Sequence, residues 1–264
     1  MSAPRQRPGS PVKLTAEQEP FLAIRSLATN YASGYRIEPH HHSWHQLLYA
    51  TSGAMTVFTE RYSWMIPTAR AVFIPAHTAH TIRIWGTVEM RTLYLSPVLT
   101  CFERLECRVF EVAPLLRELI LRAVERMGLD SRVAHDTGLI GLLQDEVNRA
   151  VAAAVDSPLA LPMPRDERAR ALAHWLLAKP FSGDRISELA KRHGVARRTL
   201  ERRYQEETGM SFGVWRQKAR LLDSIRLLAA GTSVTDTALD CGYASVSAFI
   251  AAFKRTFGYT PGRL

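Results

Sequence analysis

The sequence predicts an α+β chain: an N-terminal β-barrel with flanking helices, a proline-rich linker and an all-α C-terminal domain. Three observations predict it. Short β-rich runs bounded by turn residues fill residues 21–95. The hydrophobic period then changes at Pro114, and the pattern after Asp166 is helical and repeats itself.

The expected barrel occupies residues 21–111. Segments 46–50, 54–59, 71–74, 81–85 and 88–95 are rich in Val, Ile, Thr, Tyr and Phe. Ser52-Gly53, Pro67, Pro75-Ala76 and Gly86 separate them at the spacing of a small all-β barrel or sandwich. Pro114 opens a helix whose Leu116, Ile120 and Ala123 face inward, and a second helix is expected over residues 135–155. This extension, residues 112–155, packs on the barrel or on a second subunit, which makes a homodimer one expectation. Pro158, Pro162 and Pro164 mark residues 156–165 as the linker, with the helical domain at 166–264.

With 264 residues, 47% of them hydrophobic, the chain can bury a core, which excludes global disorder. No run approaches the roughly 18 apolar residues of a membrane span, so no membrane partner is expected. Residues 1–20 are rich in Pro, Arg, Ser and Glu and lack an apolar stretch; they read as a disordered tail, not a signal peptide. Cys101, Cys107 and Cys241 are odd in number with no CxxC spacing. Buried free thiols in a reducing cytoplasm are expected, not disulfides or a thiolate zinc site.

The net charge of +9 is unevenly placed. Residues 165–264 carry 18 Lys and Arg against 10 Asp and Glu, whereas residues 1–164 carry 16 against 15. A basic second half is the footprint of a polyanion-binding module. Within it, Ala190, Gly194 and Leu200 recur 48 residues later as Ala238, Gly242 and Ala248. A helix-turn-helix needs a small residue where its helices meet and a residue tolerant of positive φ in the turn. It also needs an apolar residue on the inner face of the second helix, the role this alignment gives to Leu200 and Ala248. The first recognition helix would begin near Ala196 and present Arg197, Arg198, Thr199, Arg202 and Arg203 to double-stranded DNA. The second would begin near Ala244 and present Ser245, Val246 and Ser247, with Lys254 and Arg255 further along. A helix over residues 212–230, with Trp215, Leu222 and Ile225 inward, would hold the two units on successive major grooves roughly 34 Å apart.

The stretch from Ala238-Leu239-Asp240-Cys241-Gly242-Tyr243 through Phe253-Lys254-Arg255-Thr256-Phe257-Gly258-Tyr259-Thr260-Pro261 closely resembles the signature of the AraC/XylS family of transcriptional regulators. The resemblance covers residues 166–263, including Thr208-Gly209-Met210-Ser211-Phe212 between the units. It implies sequence-specific DNA binding under the control of an effector, in the cytoplasm, with RNA polymerase as a further partner. It leaves activation and repression both open.

Histidines cluster in the barrel. Gly34, His40, His42, Gln46 and Gly53 have the spacing of a first cupin motif with Gln for the usual Glu. Residues 75–80 resemble the second motif, with His77 where Gly is common. In an extended strand His40, His42 and Gln46 share one face while His41 and His45 take the other, unless a bulge at Ser43-Trp44 turns His45 inward. A strand bearing His80 would complete a three-imidazole site with Gln46 as a weak oxygen donor, suited to Zn, Ni, Cu or Fe. Alternatively the cluster, with His45 and His77, lines a metal-free polar pocket for a small-molecule effector, or is structural. A cupin metalloenzyme tethered to nucleic acid would need an acid–base pair that Gln46 removes, so the chain is not expected to be an enzyme. A nonspecific architectural DNA-binder conflicts with two ordered recognition helices.

Overall fold

The computed structural model describes residues 21–98, 101–102, 106–154 and 157–263. The expected tail, residues 1–20, lies outside the described residues, as do the ends of the expected extension and linker at residues 155 and 156. The elements are, in order, β1 (Leu22–Tyr31), β2 (Arg36–His40), β3 (His45–Phe58), β4 (Tyr62–Pro67), β5 (Arg70–Ile74), β6 (His80–Leu95), β7 (Arg108–Glu111), α1 (Pro114–Glu125), β8 (Gly128–Asp130) and α2 (Ala134–Ala153). The chain continues with β9 (Ala160–Pro162), α3 (Glu167–Ala178), α4 (Ile186–Arg192), α5 (Arg197–Thr208), α6 (Phe212–Ala229), α7 (Val234–Asp240) and α8 (Val246–Phe257).

All strands join one antiparallel sheet organised around β3 and β6, which pair with each other along both halves. Residues expected as four strands are therefore two long bent ones. Ser52-Gly53 and Gly86 are not turns between strands. They are positive-φ kinks inside them, with the β3–β6 register shifting around Ser52. Gly53 is obligatory: a Cβ there would lie 2.6 Å from the Thr87 carbonyl oxygen. Alternation along the strands makes two apolar layers. Leu48, Ala50, Val72, Ile74, Ile82 and Ile84 fill the inner layer, while Leu47, Tyr49, Phe73, Leu93 and Leu95 pack outward under α1 and α2.

The segment expected as a linker is not a loose tether. Ala160–Pro162 pairs with Tyr62–Trp64 of β4 as an edge strand, a position that tolerates Pro162. From there the inner layer runs on into the helical domain, where Leu200, Tyr204, Trp215, Ile225, Phe249 and Phe253 are all buried. Trp215 donates its indole N–H to the Pro162 carbonyl at 2.7 Å. Arg226 lies over the Trp85 ring of β6 at 5.2 Å. Among the cysteines Cys241 is buried, but Cys101 is exposed rather than buried as expected, its carbonyl accepting from Gln144 and Asn148 of α2.

Candidate functional site

The helical domain contains two helix-turn-helix units, α4–α5 and α7–α8. Each first helix ends in the same way. Val195 N–H donates to the Ala190 carbonyl and Tyr243 N–H to the Ala238 carbonyl, both at 3.0 Å, around Gly194 (φ 64°) and Gly242 (φ 76°). This six-to-one closure around a left-handed residue satisfies the last carbonyls of the helix and turns the chain. Ala190 and Ala238 are buried at the crossings, as the repeat requires.

The repeat is not rigidly 48 residues long. The second turn contains one residue more, so α5 begins at Arg197 but α8 at Val246. The inner-face partner of Leu200 is consequently Phe249, fully buried, and Ala248 is exposed. Counting by 49, the buried pair Leu200 and Tyr204 matches Phe249 and Phe253. On the outer face Arg198, Arg202 and Gln205 match Ser247, Ala251 and Lys254, all exposed. These two stripes are the surfaces available for a DNA groove.

The arginines of α5 are not equivalent. Arg197 pairs with Glu201 at 3.1 Å and Arg202 with Glu206 at 3.2 Å, each one helical turn along. Arg203 pairs with Glu207 at 3.5 Å and approaches Asp166 at 3.8 Å. Glu207 in turn accepts from the backbone N–H groups of Arg165 and Asp166. Asp166 caps α3 by accepting from Ala169 N–H. Arg203 thus belongs to a network that fastens α3 to α5. Arg198, exposed, has no ion pair or hydrogen bond among the described residues, and Thr199 beside it is half-buried. The distinction was readable in the sequence, since Glu follows Arg197, Arg202 and Arg203 at i+4 but Arg follows Arg198. In the second unit Ser245 is the N-cap of α8, its hydroxyl accepting from Ala248 N–H at 3.2 Å, and Val246 is half-buried. Ser247 is exposed at the helix start, while Lys254 and Arg255 extend from the last turn. One residue missed by sequence reasoning is Arg168 of α3, which donates to the Gly194 carbonyl and secures the first turn.

The barrel histidines divide into two sets. His40 at the end of β2, His42 in the following loop and His80 at the start of β6 converge, with ring centroids 4.3–6.0 Å apart. One ligand nitrogen from each lies within 4.8 Å of the others. The Nδ1 atoms are occupied by backbone carbonyls: Glu38 for His40 (2.8 Å), Trp44 for His42 (2.6 Å) and Thr78 for His80 (2.8 Å). Carbonyls only accept, so Nδ1 carries the proton and each Nε2 offers its lone pair. Burial lowers the pKa of His42 and pushes that of His80 down to about 4, which keeps both rings neutral. His80 Nε2 is buried with no hydrogen-bond partner among the described residues. Gln46, 2% exposed, meets His42 Nε2 at 3.0 Å.

His45 stays on the opposite face despite the break in extended structure over residues 41–44. Its ring packs against Phe73 and Phe102, and its Nδ1 accepts from Ala76 N–H at 3.0 Å. It lines a separate cleft of about 780 Å³ with His77, Thr78, Phe102 and Gln144. His77 holds φ 63° there, and its backbone N–H donates to the His42 carbonyl at 2.8 Å. That bond staples the two histidine-bearing loops together.

Comparison with known proteins places these features. A model of the AraC-like ligand binding domain matches residues 25–143, and one of a helix-turn-helix domain matches residues 189–264. The chain is 31% identical over 224 residues to the HTH-type transcriptional regulator NimR of Escherichia coli (strain K12), covering 85% of this chain and 80% of that protein. With the HTH-type transcriptional regulator RipA of Corynebacterium glutamicum it shares 34% identity over 119 residues, 45% of this chain and 35% of that one. Among solved structures, the DNA-binding domain of AdpA in complex with a target DNA covers 37% of this chain and 89% of its own, at 29% identity and a TM-score of 0.34. The chain therefore belongs to the AraC/XylS family of transcriptional regulators, with a helix-turn-helix DNA-binding domain joined to an AraC-like ligand-binding domain.

Proposed function

We propose that this regulator is controlled by a divalent transition metal held at His40, His42 and His80, and that it reads operator DNA with the outer stripes of α5 and α8. The observation that carries the metal reading is the shared state of the three imidazoles. Each is pinned through Nδ1 to a carbonyl, each leaves the Nε2 lone pair for a metal, and the buried Nε2 of His80 has no hydrogen-bond partner among the described residues. Hydrogen bonds of this kind, from the ring nitrogen that faces away from the metal, orient histidine ligands before a metal arrives. An all-nitrogen set suits Zn, Ni, Cu or Fe, and such an ion would supply a cross-link between β2, the loop after it and β6.

In this reading the protein is a DNA-binding sensor, not an enzyme; Gln46, where a carboxylate would sit, offers no acid or base. Arg198 and Ser247 contact base edges. Thr199, Arg202, Lys254 and Arg255 bind phosphates, and Arg197 joins them by exchanging Glu201 for DNA. RNA polymerase is a further partner. A second copy of this chain would dock on the outer faces of α1 and α2, where Leu115 and Leu142 are exposed.

Elemental analysis of purified wild type and His42→Ala tests the metal reading. One equivalent of a transition metal, lost in the variant, is the expected result. Absence of metal from protein purified without chelators and then offered each ion would overturn it.

A further inference from the structure

We infer that Gln46 is a latch on the histidine site, holding the lone pair of His42 Nε2 until a metal displaces it, and not a ligand itself. The inference rests on the metal reading above. His42 Nδ1 donates to the Trp44 carbonyl, so Nε2 of the neutral ring is an acceptor. The Gln46 side-chain oxygen, Oε1, is placed 3.0 Å from it. Two acceptors would repel at that distance, and the oxygen and nitrogen of an amide exchange places by a half-turn. The amide therefore presents its N–H to His42. Its oxygen is then left for the Tyr94 hydroxyl, which hydrogen-bonds to the Gln46 side chain. Tyr94 also stands edge-on to the His42 ring at 5.2 Å. A chain results: Tyr94 O–H donates to the Gln46 carbonyl oxygen, and the Gln46 N–H donates to His42 Nε2.

This chain makes the three donors unequal. His80 Nε2 is open, whereas His42 Nε2 is capped by a group that is itself held. Gln46 is 2% exposed, so its amide cannot exchange His42 for water at little cost. Coordination by His42 breaks one buried hydrogen bond and frees the amide to turn. Gln46 is thus a positioning residue that sets the threshold concentration at which the site fills.

Zinc affinity, measured by competition with a chromogenic chelator on the full-length protein, tests this. Gln46→Leu keeps the volume and removes the latch. It is expected to bind zinc several-fold to about tenfold more tightly, the range of one neutral hydrogen bond. Tyr94→Phe keeps the ring and removes only the donor behind the amide; it is expected to tighten binding in the same direction, which a merely structural role would not produce. Affinity unchanged or weaker in both variants overturns the latch, and a loss of tenfold or more in Gln46→Leu would make Gln46 a ligand. Failure of wild type and both variants to bind zinc, nickel, copper or iron would instead sink the metal reading beneath it.

Discussion

Arg198 is surrounded by arginines that already have partners. Arg197, Arg202 and Arg203 each spend their charge on a glutamate one turn away, whereas Arg198 is exposed with no ion pair among the described residues. A planar fork of donors left free at the start of a recognition helix is suited to the O6 and N7 acceptors of guanine. Arg198→Ala should weaken specific binding by about 1–3 kcal/mol and relax preference at one base position. Fluorescence anisotropy on operator and scrambled duplexes would show it, and unchanged affinity and preference would remove Arg198 from the reading set. Arg203→Ala should do something different. Its partners anchor the start of α3, so the variant should lower thermal stability by about 1 kcal/mol or less, given partial solvent screening, with operator preference retained. The sequence offers both residues as DNA contacts because basic charge on a helix is visible in it. The use of Glu207 to hold the backbone N–H groups of Arg165 and Asp166 at the start of α3 is not, since it joins residues some 40 positions apart.

The two helix-turn-helix units show how a repeat can be right in kind and wrong by one residue. Ala190, Gly194, Ala238 and Gly242 could be placed from sequence because small-residue crossings and left-handed turns restrict residue type. The extra residue in the second turn could not be placed, because Ala248 and Phe249 are both apolar and adjacent. Burial separates them. Phe249→Ala should cost about 3–5 kcal/mol in a denaturant titration, as for a fully buried phenylalanine. Ala248→Ser should stay within about 0.5 kcal/mol. The reverse order would restore the 48-residue alignment. In the barrel the same kind of ambiguity hid the long strands, since a glycine between two β-rich runs marks a hairpin turn or a kink equally well. The histidine cluster was more legible. The cupin-like spacing and strand parity put His40, His42 and Gln46 together; the residues meet, but through a loop over residues 41–44 and not through an extended strand.

At the scale of the molecule, β6 touches both halves. His80 opens the strand facing the cluster, and Ile82 and Ile84 continue inward. Trp85, of opposite parity, donates its N–H to Thr56 Oγ1 of β3 at 2.8 Å, and its ring reaches the helical domain, where it receives Arg226 of α6. Asp223 holds that guanidinium from the other side through two hydrogen bonds of 2.8 and 2.9 Å. Since α6 joins α5 to α7, a shift in β6 has a direct route to the spacing of the two DNA-facing stripes. On the proposed metal control, Trp85→Leu should preserve metal binding while reducing the metal-dependent change in operator affinity by half or more. Titrating operator with zinc-loaded and zinc-free protein measures that coupling. A full-sized response in the variant would place the route elsewhere.

The pairing of β9 with β4 also bears on portability. Regulators of this architecture invite separation at the connector, so that one half can be grafted onto another sensor. Cutting at residue 166 would leave β9 on β4 but take from the helical half the carbonyl that receives the buried Trp215 indole. Cutting before residue 160 would strip the edge of β4, leaving its backbone groups bare, and would carry that carbonyl along on a strand with no sheet to join. Neither half is a self-contained cassette, and a chimaera built from this chain would have to transplant the seam together with the parts it joins.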